Sequence, residues 1–149
     1  MMNEVFFFAC RVLVAGRNRS NLLSLDKGGE RREEVNIFEE VLSSLGPVID
    51  ISLGEKYSLV LTKRQEIWRV GGEQRDILKI QLSSKPNFKI QSLVASSYLA
   101  LFTTEDGTIY SFDRKQEKVK MMDLKSFGEL TKKPVKMVAA RNNVLLHFQ

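Results

Sequence analysis

Side chains able to do covalent or proton-transfer chemistry are scarce in this chain. His147 is the only histidine and Cys10 the only cysteine among 149 residues. His147 stands between Leu146 and Phe148, the setting of an ordinary strand residue rather than of a general base held by an orienting partner. Cys10 follows Phe6-Phe7-Phe8 and reads as a buried thiol. One Cys and one His cannot build a zinc set of either ligand type. Gly28-Gly29 and Gly71-Gly72 lack the Lys-Ser/Thr that a phosphate-cradling loop requires. Carboxylates are plentiful, but the sequence pairs none of them in space. The expectation is therefore a protein with no cofactor, no metal and no catalysis of its own.

Charge is the chemistry that remains. Lys and Arg outnumber Asp and Glu by 23 to 18, a formal net charge of +5, which bears on encounter with partners rather than on fold. The basic residues are scattered among acidic ones, as on a solvated surface. Candidate partner-binding residues are Arg17, Arg19, Arg31, Arg32, Arg114 and Lys115. Gly28-Gly29-Glu30-Arg31-Arg32-Glu33-Glu34 reads as an exposed loop, and the densest basic excess is Arg114-Lys115 with Lys118 and Lys120. An acidic protein surface suits these residues. Nucleic acid suits their sign of charge but has no further support.

The elements that must carry these residues are repeated. Val48 to Gly71 (VIDISLGEKYSLVLTKRQEIWRVG) and Ile90 to Asp113 (IQSLVASSYLALFTTEDGTIYSFD) align without a gap at a spacing of 42. Leu59/Leu101, Thr62/Thr104 and Ile67/Ile109 are identical, and apolar or aromatic classes match at Val48/Ile90, Ile51/Leu93, Val60/Phe102, Trp68/Tyr110 and Val70/Phe112. Self-similarity at such a period marks a repeat architecture. Within each copy a polar turn (Thr62 to Glu66, Thr104 to Thr108) separates two apolar runs, and Asp106-Gly107 is a strong hairpin signal. A truncated copy from Val135 sets Val138 against Leu93, Ala140 against Ala95 and Leu146 against Leu101. At the front, Val12, Leu13 and Gly16 match Ile67, Trp68 and Gly71. The chain thus divides into an incomplete unit 1–47, units 48–89 and 90–134, and a truncated unit 135–149.

Short strands joined by loops of varying length make up a β-propeller blade, so the fold class is all-β with about three propeller-type units. A small closed β-barrel or sandwich is the alternative, since both also alternate apolar and polar residues. The motifs favour the blade. Leu53-Gly54, Ser58-Leu59-Val60-Leu61-Thr62 and Ile67-Trp68-Arg69-Val70-Gly71, with Asp106-Gly107 and Ile109-Tyr110-Ser111-Phe112, resemble the repeat of the regulator of chromosome condensation family. Gly16-Arg17-Asn18 looks like that family's Gly-x-Asn loop. Tyr57 replaces the family histidine, Ser96 a glycine, and Asp113 the closing glycine. The resemblance implies a seven-bladed propeller, a scaffold that binds proteins, and in some members guanine-nucleotide exchange on small GTPases. No GTPase-contacting element can be matched residue by residue. A structural subunit of a larger assembly contacting nucleic acid is the second function class.

Apolar runs are too short to span a membrane, the longest being Val5 to Cys10. Glu4 stands where a secretory signal would carry positive charge, and a single cysteine suits a reducing compartment. An intracellular setting, cytoplasmic or nuclear, is expected. Terminal repeat units leave apolar faces and strand edges open, so a partner, a second copy or a longer polypeptide is expected to cover them.

Overall fold

The computed structural model describes residues 4–8, 11–18, 21, 32–73, 76–82, 89–113, 118–123, 134–141 and 143–148. Among these residues the chain forms four antiparallel sheets and no α-helix. The first comprises β1 (Glu4–Phe8), β2 (Arg11–Arg17) and β3 (Glu34–Val41). The second is β4 (Val48–Leu53), β5 (Tyr57–Thr62), β6 (Ile67–Gly71) and β7 (Ile77–Lys79). The third is β8 (Ile90–Ala95), β9 (Leu99–Thr104), β10 (Ile109–Asp113) and β11 (Lys118–Met121). The fourth is β12 (Pro134–Ala140) with β13 (Asn143–Phe148). A 3-10 turn, Ser43–Leu45, leads into the second sheet.

Backbone hydrogen bonds repeat at the spacing of 42. Thr62 N–H donates to Glu66 O at 3.0 Å and Thr104 N–H to Thr108 O at 3.0 Å. Ile80 N–H reaches Ile67 O at 2.9 Å, and Met122 N–H reaches Ile109 O at 2.8 Å. Both inner strands break register at the same place, between Val48 and Asp50 and between Ile90 and Ser92, one extra residue that bends the strand. The turn after β5 places Gln65 at φ 63°, where the turn after β9 has Gly107 at φ 88°. Glycine accepts that conformation at no steric cost. Gln65 has a compensation, because its Oε1 accepts the Ile90 N–H of the next sheet at 2.7 Å.

Alternation of side chains across each strand then builds the core. Each sheet has a front and a back. From the second sheet, Leu59, Leu61 and Ile67 face forward onto Leu93, Ala100, Phe102 and Phe112 of the third. Its Val60 and Val70, with Trp68 packed beside them, face back onto Val12, Val14, Val35 and Val41 of the first. The third sheet repeats the scheme, with Val94, Leu101 and Ile109 forward onto Met137, Ala139, Val144, Leu146 and Phe148. The four sheets are stacked blades, with β4, β8 and β12 as neighbouring first strands. None closes on itself, and the barrel or sandwich reading is set aside.

The truncated unit lies one residue away from its expected register. Leu93 pairs with Phe102 and Ala95 with Ala100, while Met137 pairs with Leu146 and Ala139 with Val144. The fourth sheet therefore repeats the third at a spacing of 44, so Val138 matches Val94 and Leu145 matches Leu101. A one-residue slip turns every side chain to the other face. Val138 and Leu145 are 46% and 72% exposed in consequence, and Leu146 packs inward. The outer strands β3, β7 and β11 are short or strongly charged and carry none of the repeated motif. Leu99 stands on the same strand face as Leu101, but it opens β9 at the rim and is 37% exposed against 2%.

Candidate interaction surface

At one end of the blades the turn from the first strand to the second recurs three times. Glu55, Ser97 and Arg141 occupy one equivalent position in it, and consecutive blades are linked there. Ser97 Oγ donates to Glu55 Oε2 at 2.5 Å, and Ser97 N–H donates to Arg141 O at 2.6 Å. One residue further, Lys56 and Tyr98 are also equivalent, with Lys56 Nζ 6.0 Å from the centre of the Tyr98 ring. Tyr98 is 47% exposed, so the pair forms a solvent-facing aromatic and cationic feature.

Below the rim, the first strands are joined by side chains rather than by a ladder. Ala95 N–H donates to Ser52 Oγ at 2.9 Å, and Leu93 N–H to Asp50 Oδ2 at 3.4 Å. Burial pushes the Asp50 carboxyl above the usual range, against the lowering effect of the N–H groups of Ile51 and Leu93. Gly54 follows β4 at a close approach of backbone. A Cβ there would stand 2.7 Å from Ser96 O and 2.8 Å from Tyr57 O.

The same end receives the β2–β3 and β6–β7 connections. Arg17 closes β2 and is exposed on this rim. Arg32 begins the return to β3, and its Nη1 and Nη2 each lie 2.6 Å from a carboxylate oxygen of Glu39. That bidentate bond raises the Arg32 pKa and engages both nitrogens, so Arg32 serves the loop as well as the surface. Arg19, Arg31, Arg114 and Lys115 lie outside the described residues. Asn18 is wholly buried, its Nδ2 donating to Arg32 O at 2.7 Å and to Asn21 Oδ1 at 3.2 Å. The Gly-x-Asn loop is thus a structural clamp on the chain's return.

Sequence reading missed Lys56 and Tyr98, which recur at one repeat position, and Arg141, which takes the neighbouring position of Glu55 and Ser97 once the fourth sheet's register is known. It also missed Arg69, only 5% exposed, which donates from Nη1 to Gly71 O and from Nη2 to Asp76 Oδ1 at 2.9 Å. Gly72, at φ 111°, leaves the room that this guanidinium occupies. Trp68 and Tyr110 are half-buried between blades, Tyr110 stacked on Phe102 at 5.0 Å, so neither ring offers a stacking face to bases. His147 is an exposed strand residue opposite Lys136. Among the described residues no three His, Cys, Asp or Glu side chains converge as a metal set. At the opposite end a cleft of about 190 Å³ lies between Val12, Leu42 and Val48, with Arg11 and Glu40 bridged at 3.5 Å on its wall.

Solved structures share this stacking of blades. Human WBSCR16 superposes with a TM-score of 0.75 at 12% identity, covering 97% of this chain and 42% of that one. Prp20p from Saccharomyces cerevisiae, described with its binding properties to Gsp1p and histones, gives 0.73 at 14% identity over 90% of this chain and 38% of its own. Yeast RCC1 (Prp20) bound to Kap60 gives 0.73 at 12% identity, with 97% and 38% covered. The fold is that of the regulator of chromosome condensation-type β-propeller. The chain spans about two-fifths of the length of these propellers. No family model matches the sequence, and no curated protein does. No helix among the described residues is long and apolar enough to cross a membrane.

Proposed function

We propose that this chain is a non-catalytic protein-interaction module, an intracellular propeller scaffold that presents its rim loops to a protein partner. The observation that supports this most is the contrast between core and rim. The bonds at the turns repeat residue for residue, whereas the rim positions differ in every blade: Glu55-Lys56, Ser97-Tyr98 and Arg141. A rigid scaffold with variable loops is how such folds acquire partners. The finer reading is that the partner is a small GTPase or a subunit of a complex. Its support is the fold shared with Prp20p, which binds Gsp1p and histones.

The test is an affinity capture with the intact chain, followed by nucleotide-release assays on any GTPase recovered. Lys56→Glu, Tyr98→Ala and Arg141→Glu should each weaken capture at least tenfold while leaving the thermal transition in place. Capture insensitive to all three removes this rim as the binding surface. A recovered GTPase whose nucleotide release is unchanged removes the exchange reading alone.

A further inference from the structure

The cleft between the first and second sheets is a gap in the repeat, within the stack of blades. Val12, Val41 and Val48 line it, and Ile67, Ile80 and Ile90 hold the same three places one blade on. Val12 pairs with Val41 as Ile67 meets Ile80, and Val48 and Ile90 open their first strands. Each of the three cleft residues is therefore one methylene smaller than its counterpart. Two residues past Ile80, Leu82 packs against the cluster that contains the three isoleucines. Two residues past Val41 stands Ser43, exposed on the cleft wall. The connection is shorter as well, six residues between Val41 and Val48 against nine between Ile80 and Ile90. The space left is about 190 Å³, in the range of the roughly 150 Å³ apolar cavity that takes up a benzene molecule. Leu42, on the same wall, is held at φ 61°, a conformation leucine rarely adopts and one that gathers at ligand sites.

Arg11 and Glu40 bracket the opening, a guanidinium and a carboxylate 3.5 Å apart with side chains 67% and 42% exposed. So solvated a pair holds neither group firmly, and both can turn to a ligand. Their charges complement a peptide unit: the guanidinium donates to a carbonyl oxygen, and the carboxylate accepts from an N–H. We propose that the cleft binds an extended peptide segment of a partner protein, which inserts one leucine side chain where the next blade uses its own Leu82. Arg11 and Glu40 hold the backbone on either side of that leucine. One apolar anchor in a fitted pocket, framed by polar contacts to the main chain, is a recurring way for a short segment to gain affinity. The cleft lies at the opposite end from Lys56 and Tyr98, so this site stands independently of the rim.

Amide chemical shifts of the intact chain, followed by NMR, test this with three probes: an end-blocked alanine-leucine-alanine peptide, its all-alanine counterpart and free leucine. The leucine peptide should shift the amides of Val12, Leu42, Ser43 and Gly46 saturably. It should bind about tenfold more tightly than the alanine peptide, because the larger side chain buries more apolar area. Ser43→Leu should abolish these shifts and raise the thermal transition, since the chain then fills the cleft itself. Arg11→Ala should weaken binding about threefold to tenfold and leave the fold unchanged. Absence of any shift up to the solubility limit of the leucine peptide overturns the proposal. So does equal binding of the alanine peptide, or binding left unchanged by Ser43→Leu or by Arg11→Ala. Free leucine that binds more tightly than the blocked peptide overturns it too, because the cleft is then a small-molecule site. Should Ser43→Leu fail to fold, Val48→Ile, which installs the residue of the next blade, narrows the same cleft and should weaken the peptide in its place.

Discussion

Gly54 and Asp50 show how tightly single residues are held where first strands meet. A methyl group on Gly54 would meet two backbone carbonyls, and backbone cannot swing aside as a flexible side chain does. Gly54→Ala should therefore cost about 1–3 kcal/mol, read from denaturant melts, as overpacking does. Ser96, at the equivalent position one blade on, has the room for its hydroxyl, which donates to Leu99 O at 2.7 Å. Asp50 makes stability depend on pH. Its folded pKa is raised by burial, so the folded state holds the proton more tightly than the unfolded one does. The associated stability is present below the unfolded carboxylate pKa and is lost as pH rises through the folded value. Asp50→Asn does not titrate, so its stability relative to wild type should increase as pH climbs through that window. A difference that is flat with pH would show that Asp50 is solvated in the folded protein.

At the scale of elements, hairpins are positioned by local turns but locked by contacts with the next blade. Leu59 is 0% exposed and Leu101 2%, each at the centre of a forward face. Truncation to Ala at either site should cost about 2–5 kcal/mol, with the same sign and similar size if the repeat register holds. Gln65 ties the β5–β6 turn to the first residue of β8. Gln65→Ala leaves the Ile90 N–H without its acceptor and should cost about 1–3 kcal/mol, with faster hydrogen exchange at Ile90 as the local signature. Gln65→Gly relieves the positive φ yet removes the same acceptor, so it should restore only part of that loss.

For the molecule as a whole, charge and shape divide the work. The net charge of +5 aids encounter with acidic surfaces, but the rim mixes signs, as Glu55 beside Lys56 shows. Partner binding through Lys56 and Arg141 should therefore weaken only modestly between about 50 mM and 200 mM salt. Nucleic acid binding through many phosphate contacts would instead lose about 10³–10⁵ in affinity over that range. Titration of any captured partner at the two salt concentrations separates the readings.

The repeat, its hairpins and its inward-facing residues were legible in the letters because burial on one strand face imposes a period of two, and a shared backbone path imposes the spacing of 42. Leu59, Ile67, Leu101 and Ile109 could be placed in the core on that ground alone, and Gly16 could be matched to Gly71, both of which adopt positive φ. The register of the last sheet could not. Its hairpin has the same span as that of the third sheet, but an apolar run such as Val144-Leu145-Leu146 offers a leucine to either face. Only packing against Leu101 and Ile109 decided which leucine went inside. The rim was equally a tertiary outcome: Glu55, Ser97 and Arg141 are far apart along the chain and come together only because stacked blades bring equivalent turns side by side.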